Sequence, residues 1–363
     1  MLKFPSPLSG FSTPFGTHGA LSAYAVGSFE PEFVLDFEQE YYRTGGTATT
    51  FSGAVSFSRI SNATYVDSTG TLQTAAPGVA RVGHHVYNGS AWVNEGVLVE
   101  SEARTNLLLN SGTLATQNVT VTAQAYTLHF TGTGTVTLSG ASTAGPLVGT
   151  GTGENNRVNL TFTPTAGTLA LTVSGTVTNA QLEAGSTPSS YIPTSGATVT
   201  RAAETLTVPA ANLPWSSDAV SLQMQGQMTY VDDGDNATAT FVRWQAISGQ
   251  YIQKRLRTDS TRTGASYALM NNGVATIGQD TNGAVADLSA GINVPFNTAS
   301  RFGSTFLNVA LDGVAASALS TPTALPDLSS TDLQLGYDYM GTIKLFRIWA
   351  NDLGDAGIAE AST

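Results

Sequence analysis

Cysteine is absent from the chain, which excludes a disulfide framework, a thiolate metal site and a cysteine nucleophile. Charge is scarce as well. Asp, Glu, Lys and Arg make up 11% of the 363 residues, against roughly 25% in an ordinary soluble domain. That shortage excludes long solvated helices, coiled coils and charged disordered tails. The charge that is present leans acidic, with a net of −11. This is the wrong sign for a general nucleic-acid binder, whose basic surface must displace counterions. No apolar run approaches the roughly 18–20 residues that span a bilayer, so no membrane insertion is expected. Met1-Leu2-Lys3-Phe4-Pro5-Ser6-Pro7 lacks the apolar stretch of a secretory signal. The expectation is a chain made in the cytoplasm and not exported by the usual route.

What is present is Gly (38 residues) together with Thr, Ser, Ala and Val, the composition of short strands joined by tight turns. The fold class this implies is all-β. Val158, Leu160 and Phe162 alternate with Asn159, Thr161 and Thr163, and Leu169, Leu171 and Val173 alternate with Ala170, Thr172 and Ser174. Strict alternation buries one face of a strand and wets the other. Asn88-Gly89, Asn272-Gly273 and Asp312-Gly313 are hairpin signals. Short strands are expected from Thr49 to Asn106, with Phe51, Val55 and Phe57 leading into Tyr65-Val66, and further strands over Leu222–Tyr230, Ala239–Ala246, Phe302–Leu311 and Ile343–Trp349. The last is apolar on both faces and therefore central, and after it Asp355 is expected to cap a helical turn.

Composition shifts divide the chain in three. Residues 1–47 combine prolines and glycines with isolated aromatics that need burial, Phe4, Phe11, Phe15, Tyr24 and Phe29 among them. They read either as an extended arm that docks on another subunit or as a loosely ordered terminus. Residues 48–194 read as a small β-sandwich, and a polar bridge leads to a second β block over 195–363. The architecture expected is two consecutive sandwich or jelly-roll domains behind an N-terminal arm.

Three stretches then carry a resemblance. Phe57-Ser58-Arg59-Ile60-Ser61-Asn62-Ala63-Thr64-Tyr65-Val66-Asp67 is the first, and Gly96-Val97-Leu98-Val99-Glu100 leading to Arg104-Thr105-Asn106 is the second. The third runs from Asn179-Ala180-Gln181-Leu182-Glu183-Ala184-Gly185 to Ser190-Tyr191-Ile192-Pro193-Thr194. Together they resemble the head spike fibre proteins of phages and phage-derived gene transfer agents, with a carbohydrate-binding-type sandwich. The last third, through Gly341-Thr342-Ile343-Lys344-Leu345-Phe346-Arg347-Ile348 and its close at Asn351–Ile358, resembles a concanavalin A-like, laminin-G-like jelly roll. The resemblance implies a non-enzymatic fibre on the exterior of a particle. It would be anchored through the arm to a capsid or spike-base protein, homo-oligomeric with a trimer favoured, and attached to host polysaccharide. The alternative it leaves open is a decoration protein that binds no glycan.

Sugar recognition needs flat aromatic faces for the apolar side of a pyranose, and amide, carboxylate and guanidinium groups for its hydroxyls. The candidates are Trp92, just after a hairpin turn; Trp244 with Arg243; Tyr251; and Tyr337-Asp338-Tyr339. Trp349 reads as core. Asp232, Asp233, Asp235 and Asn236 surround Gly234 as calcium-loop ligands do, or form an ordinary acidic turn; no other cofactor is implied. Lys254-Arg255-Leu256-Arg257 with Arg262 reads as a charged strand edge, or as a surface for an anionic capsule or a neighbouring subunit. His84, His85 and His129 read as structural. No nucleophile elbow, zinc-protease helix or phosphate loop occurs, so no catalytic residue is assigned.

Overall fold

The computed structural model describes residues 22–231, 238–247, 249–258, 264–281, 283–320 and 323–363. The architecture is all-β, as the composition requires. Among the described residues α-helix is confined to the single turn Phe51–Ala54 and to Gly354–Ala361. Two large antiparallel sheets stack face to face. Met340–Trp349 lies inside the ten-stranded one, as its two apolar faces demand. One of its edges pairs with Ala219–Tyr230, and the other is shared by Phe33–Asp36 and Val97–Glu100 in succession. The seven-stranded sheet runs in the spatial order Thr276–Asp280, Ser266–Asn272, Gln250–Arg257, Thr238–Ile247, Leu333–Asp338, Thr205–Val208, Ser56–Ser58.

The main core fills the space between these sheets. Phe241 and Phe296 stack at 4.6 Å and 2°, and Tyr339 meets both rings edge-on, a geometry the ring quadrupoles favour. A separate core holds the small sandwich, whose two sheets turn Val119, Val121, Leu128, Phe130, Val136, Leu138, Leu169, Leu171 and Leu182 inward. Of the positions that the period of two selected, Phe162, Leu169 and Leu171 are buried in this core and Val158, Leu160 and Val173 pack against it partly buried. A third cluster, with Val26, Trp349 and Ile358, lies under the C-terminal helix.

Hydrogen bonding divides the chain elsewhere than at 47 and 194. Phe33–Asp36, Tyr41–Thr44 and Thr47–Thr49 are strands of the ten-stranded sheet, and Ser56–Ser58 is the outermost strand of the seven-stranded one. The jelly roll is therefore built from both ends of the chain, with the small sandwich inserted between its strands. Tyr24 docks on its own chain. Its hydroxyl donates to Asp36 Oδ2 at 2.9 Å, its ring stacks on Tyr41 at 5.2 Å, and its carbonyl accepts from Arg347. Phe29 stays 38% exposed while its carbonyl accepts from Trp349 Nε1. Phe4, Phe11 and Phe15 lie outside the described residues.

Three local expectations change. Thr50 Oγ1 accepts from Gly53 N and caps a helical turn at Phe51–Ala54 where a strand was expected. The strand expected over 302–311 is a hairpin, Gly291–Gly303 and Leu307–Leu311, closed by Gly303 N donating to Phe306 O. Asp355 lies in the first turn of its helix instead of capping it, because its carboxylate is taken by Arg301 and Asn308.

The insertion is locked to the jelly roll by a buried ionic cluster. Glu204 pairs with Arg59 and Arg81 at 2.6 Å each, and Glu100 pairs with Arg81 at 2.8 Å and Arg201 at 3.1 Å. Ser190 donates to Glu100 through both its backbone N–H and its hydroxyl. Burial opposes ionisation, but Arg201 and Arg81 hold the Glu100 carboxyl far below the usual carboxylate range. Arg59, Glu100 and Ser190 come from the three stretches that carry the fibre-protein resemblance. In this molecule those stretches form a joint.

Candidate functional site

A strand alternates its side chains between faces, and on the seven-stranded sheet this alternation separates core from surface residue by residue. Trp244 turns inward and is fully buried, its indole N–H donating to Thr331 O at 2.8 Å. Its neighbours Arg243 and Gln245 turn outward. The same parity sends Lys254 into the core and leaves Gln253 and Arg255 on the outer face. Trp244 and Tyr339 (2% exposed) are thus structural, and neither can present a ring to a ligand. Tyr339 spans the core instead, its hydroxyl donating to Thr342 O at 2.6 Å.

What the outer face assembles is a cationic and aromatic ladder. The Arg243 guanidinium lies 4.1 Å over the ring of Tyr337, which is 42% exposed. Arg243 Nε donates to Gln245 Oε1 at 2.8 Å, and Gln253 Nε2 donates to the same oxygen at 3.3 Å. Arg255 donates to Gln253 Oε1. Register places Tyr251 opposite Gln245 and Tyr267 opposite Arg255. The Arg257 guanidinium lies 6.0 Å from the Tyr267 ring and 3.5 Å from Asp280. Five adjacent strands take part, so at the usual spacing the face is about 19 Å wide.

One feature makes this face available to a ligand. Glutamine side chains hold Arg243 and Arg255 by single bonds, leaving further guanidinium N–H groups of these two unspent. Arg255 Nε itself is buried with no hydrogen-bond partner among the described residues, so it lies out of a ligand's reach. Of the predicted site residues, the fold brings Arg243 and Tyr337 into contact and sets Tyr251 on the same face. Asp338, exposed at the strand end, lies against a different cleft, beside Glu102 and Arg104. Trp92 lies on another part of the molecule, in contact with Tyr87 at 5.3 Å. Arg255 and Arg257 belong to the basic cluster read as a charged edge or a surface for an anionic capsule, whereas Gln253 and Tyr267 were not singled out as ligand contacts, although the alternation Gln253, Arg255, Arg257 was there to be read. Asp232, Asp233, Asp235, Asn236 and Arg262 lie outside the described residues. Among the described residues no group of three or more His, Asp or Glu side chains is placed to hold a metal ion.

The fold and this face define the class: an all-β chain, a jelly roll with a small sandwich inserted, carrying a polar aromatic surface on one sheet. No family model matches the chain, and no curated protein matches it. Solved structures that resemble parts of it include a leech intramolecular trans-sialidase complexed with 2,7-anhydro-Neu5Ac, at 16% identity and a TM-score of 0.33 over 40% of this chain and 23% of that one. The CBM40 of Ruminococcus gnavus IT-sialidase, bound to α2,6 sialyllactose, aligns at 13% identity and a TM-score of 0.33 over 41% of this chain and 85% of the module. The botulinum neurotoxin serotype D binding domain aligns at 12% identity and a TM-score of 0.34 over 43% of this chain and 40% of that one. Each alignment covers less than half of this chain. Among the described residues no helix is long and apolar enough to cross a membrane.

Proposed function

We propose that this chain is a non-catalytic attachment protein that holds acidic polysaccharide on the outer face of its seven-stranded sheet. The observation that carries this reading is Arg243 stacked on the exposed Tyr337, beside a glutamine ladder that runs on to Arg255. A pyranose presents a C–H face to an aromatic ring, and its carboxylate or sulfate accepts from guanidinium donors. On a chain of net charge −11, a cationic face is an exception to the field around it, which suits a patch that selects for an anion. The resemblance of the three sequence stretches to head spike fibre proteins supports the further reading. In it the chain is a fibre on a phage-like particle, repeated around it so that weak single sites add up by avidity.

The test is binding of the full chain to host cells with and without their capsule, and to purified acidic capsule. Arg243→Ala with Tyr337→Ala is expected to weaken capsule binding by about tenfold or more, the scale of one cation–π and one charged hydrogen bond. Added salt is expected to weaken the wild type, because the attraction is screened. Capsule-independent binding would sink this reading and leave that of a decoration protein without a glycan ligand.

A further inference from the structure

A polar pocket lies where the three parts of the molecule meet, and it shares no lining residue with the cationic face. One wall is the hairpin His85–Tyr87 and Trp92–Asn94, turned by Asn88, whose Oδ1 accepts from Ser90 N and Ala91 N. Trp92 and Tyr87 stand side by side on it, 5.3 Å apart and tilted by 53°. The indole is held over Gly70, where any Cβ would collide with it and where φ is +80°. The opposite walls come from the inserted sandwich, at Glu154 and Asn155, and from the jelly roll, at Asn293. The cavity measures about 200 Å³, below the roughly 300–1,000 Å³ of a drug-sized site, so it suits a single small ring. A second cavity of about 170 Å³ adjoins it, sharing Val66, His84, Glu154 and Asn293 as walls.

The charge in this pocket cancels, in contrast to the cationic face. Glu154 is chelated by Arg157 at 2.7 and 2.8 Å, and the remaining Arg157 amino group donates to His129 Nδ1 and Asn179 O, so four of the five guanidinium N–H donors are spent and the charge is paired. His84 Nδ1 accepts from Val66 N. His85 Nδ1 is 2.8 Å from Gly83 O and donates to it, which leaves Nε2 as an acceptor in the neutral ring. Asn155 is exposed, and Asn293 is exposed with its backbone at φ +52°. An uncommon conformation for a residue other than glycine marks a position that its surroundings hold in place. Here Thr229 does so, Asn293 N donating to its Oγ1 at 3.1 Å. Two aromatic faces, amide donors and acceptors, and no uncompensated charge are what an uncharged sugar ring requires.

We propose that this junction pocket binds one neutral hexopyranose unit, its apolar face against Trp92 and Tyr87 and its hydroxyls on Asn155 and Asn293. The proposal rests on the reading of the chain as glycan-binding but uses none of the residues of the cationic face. A mixed polysaccharide with acidic and neutral sugars would then engage both sites.

The experiment titrates the full-length chain with the methyl glycosides of glucose, galactose and mannose and with N-acetylglucosamine, following ligand saturation-transfer signals. Saturable millimolar binding of at least one is expected, weakened about tenfold by Trp92→Ala. Asn155→Ala changes only an exposed side chain and keeps the test valid if the tryptophan variant fails to fold; it too is expected to weaken binding severalfold. Arg243→Ala with Tyr337→Ala is expected to leave the neutral sugars untouched. No saturable binding across the panel overturns the proposal. So does binding that is unchanged in Asn155→Ala and in a folded Trp92→Ala. If neutral sugars bind at the pocket while acidic capsule does not bind at the cationic face, the earlier reading of that face fails and this one stands.

Discussion

Lys254 is a single residue whose placement sets a measurable pH dependence. It is fully buried between the two large sheets, within hydrogen-bond distance of Ser300 Oγ at 2.6 Å, Ser266 Oγ at 3.0 Å and Ala299 O at 3.1 Å. A neutral amine satisfies these partners by donating two bonds and accepting one from a serine hydroxyl. None of the partners is charged, and burial pushes the amine well below the usual lysine range. The unfolded chain therefore binds a proton here that the folded chain does not, and stability rises with pH up to the ordinary lysine value. Thermal unfolding from pH 7 to 9.5 is expected to show that rise, at most about 1.4 kcal/mol per pH unit. Lys254→Met is expected to remove this contribution and to melt higher than the wild type at pH 7; a variant with an unchanged pH slope would refute the assignment. The same parity argument was legible for Trp244. Its neighbours Arg243 and Gln245 point outward, so a strand through all three must bury it, and a polar sequence context was no sign of an exposed ring.

At the scale of elements, the decisive contacts are pairings between strands far apart in sequence. Ile343–Trp349, most of the strand Met340–Trp349, was legible as central from its composition. That its free edge is covered by Phe33–Asp36 and Val97–Glu100 was not, because period and propensity describe one strand and say nothing of its partner. A chain beginning at residue 48 loses Phe33–Asp36 and exposes an edge of the central strand. It is expected to aggregate or to lose its cooperative transition in circular dichroism, whereas a chain beginning at residue 22 keeps the strands Phe33–Asp36, Tyr41–Thr44 and Thr47–Thr49. The ionic joint belongs to the same scale. Glu204→Gln leaves Arg59 and Arg81 buried without their shared carboxylate. It is expected to cost about 3–5 kcal/mol, read as a lowered urea midpoint with the m-value retained.

For the whole molecule, the buried titrating groups act together in acid. Burial and the Arg81 charge hold His84 down to about 3, from an ordinary 6.5. Burial also lowers His129, with Arg157 donating to its Nδ1 and Glu183 accepting from its Nε2–H. Burial opposes ionisation of Glu183, but the bonds from His129 and Ser189 draw its carboxyl below the usual range. For the histidines, the unfolded chain takes up protons that the folded chain refuses, so their contribution to stability is lost as pH falls below 6.5. Glu100 and Glu183 contribute stability that is present above the ordinary carboxylate value of 4.5 and is lost as pH falls below it. The melting temperature is expected to fall in two stages, from about pH 6.5 and again from about pH 4.5, and His84→Gln is expected to flatten the first. A profile level down to pH 4 would contradict the histidine part.

The sequence by itself determined the all-β class, the inward positions of the small sandwich, the hairpin at Asn88-Gly89 and the central place of Ile343–Trp349. Each of these is a local property, set by the alternation of a pleated strand or by the backbone freedom of a turn. Tertiary structure alone decided that residues 33–49 and 56–58 complete a jelly roll whose other strands lie beyond residue 200, that the resembling stretches form an ionic joint, and that Arg243 meets Tyr337. It also decided that Trp92 shares a pocket with Asn155 and Asn293, from two other parts of the chain. These depend on which strand edges pair and which loops converge, and antiparallel pairing between distant segments leaves no mark on the period of either one.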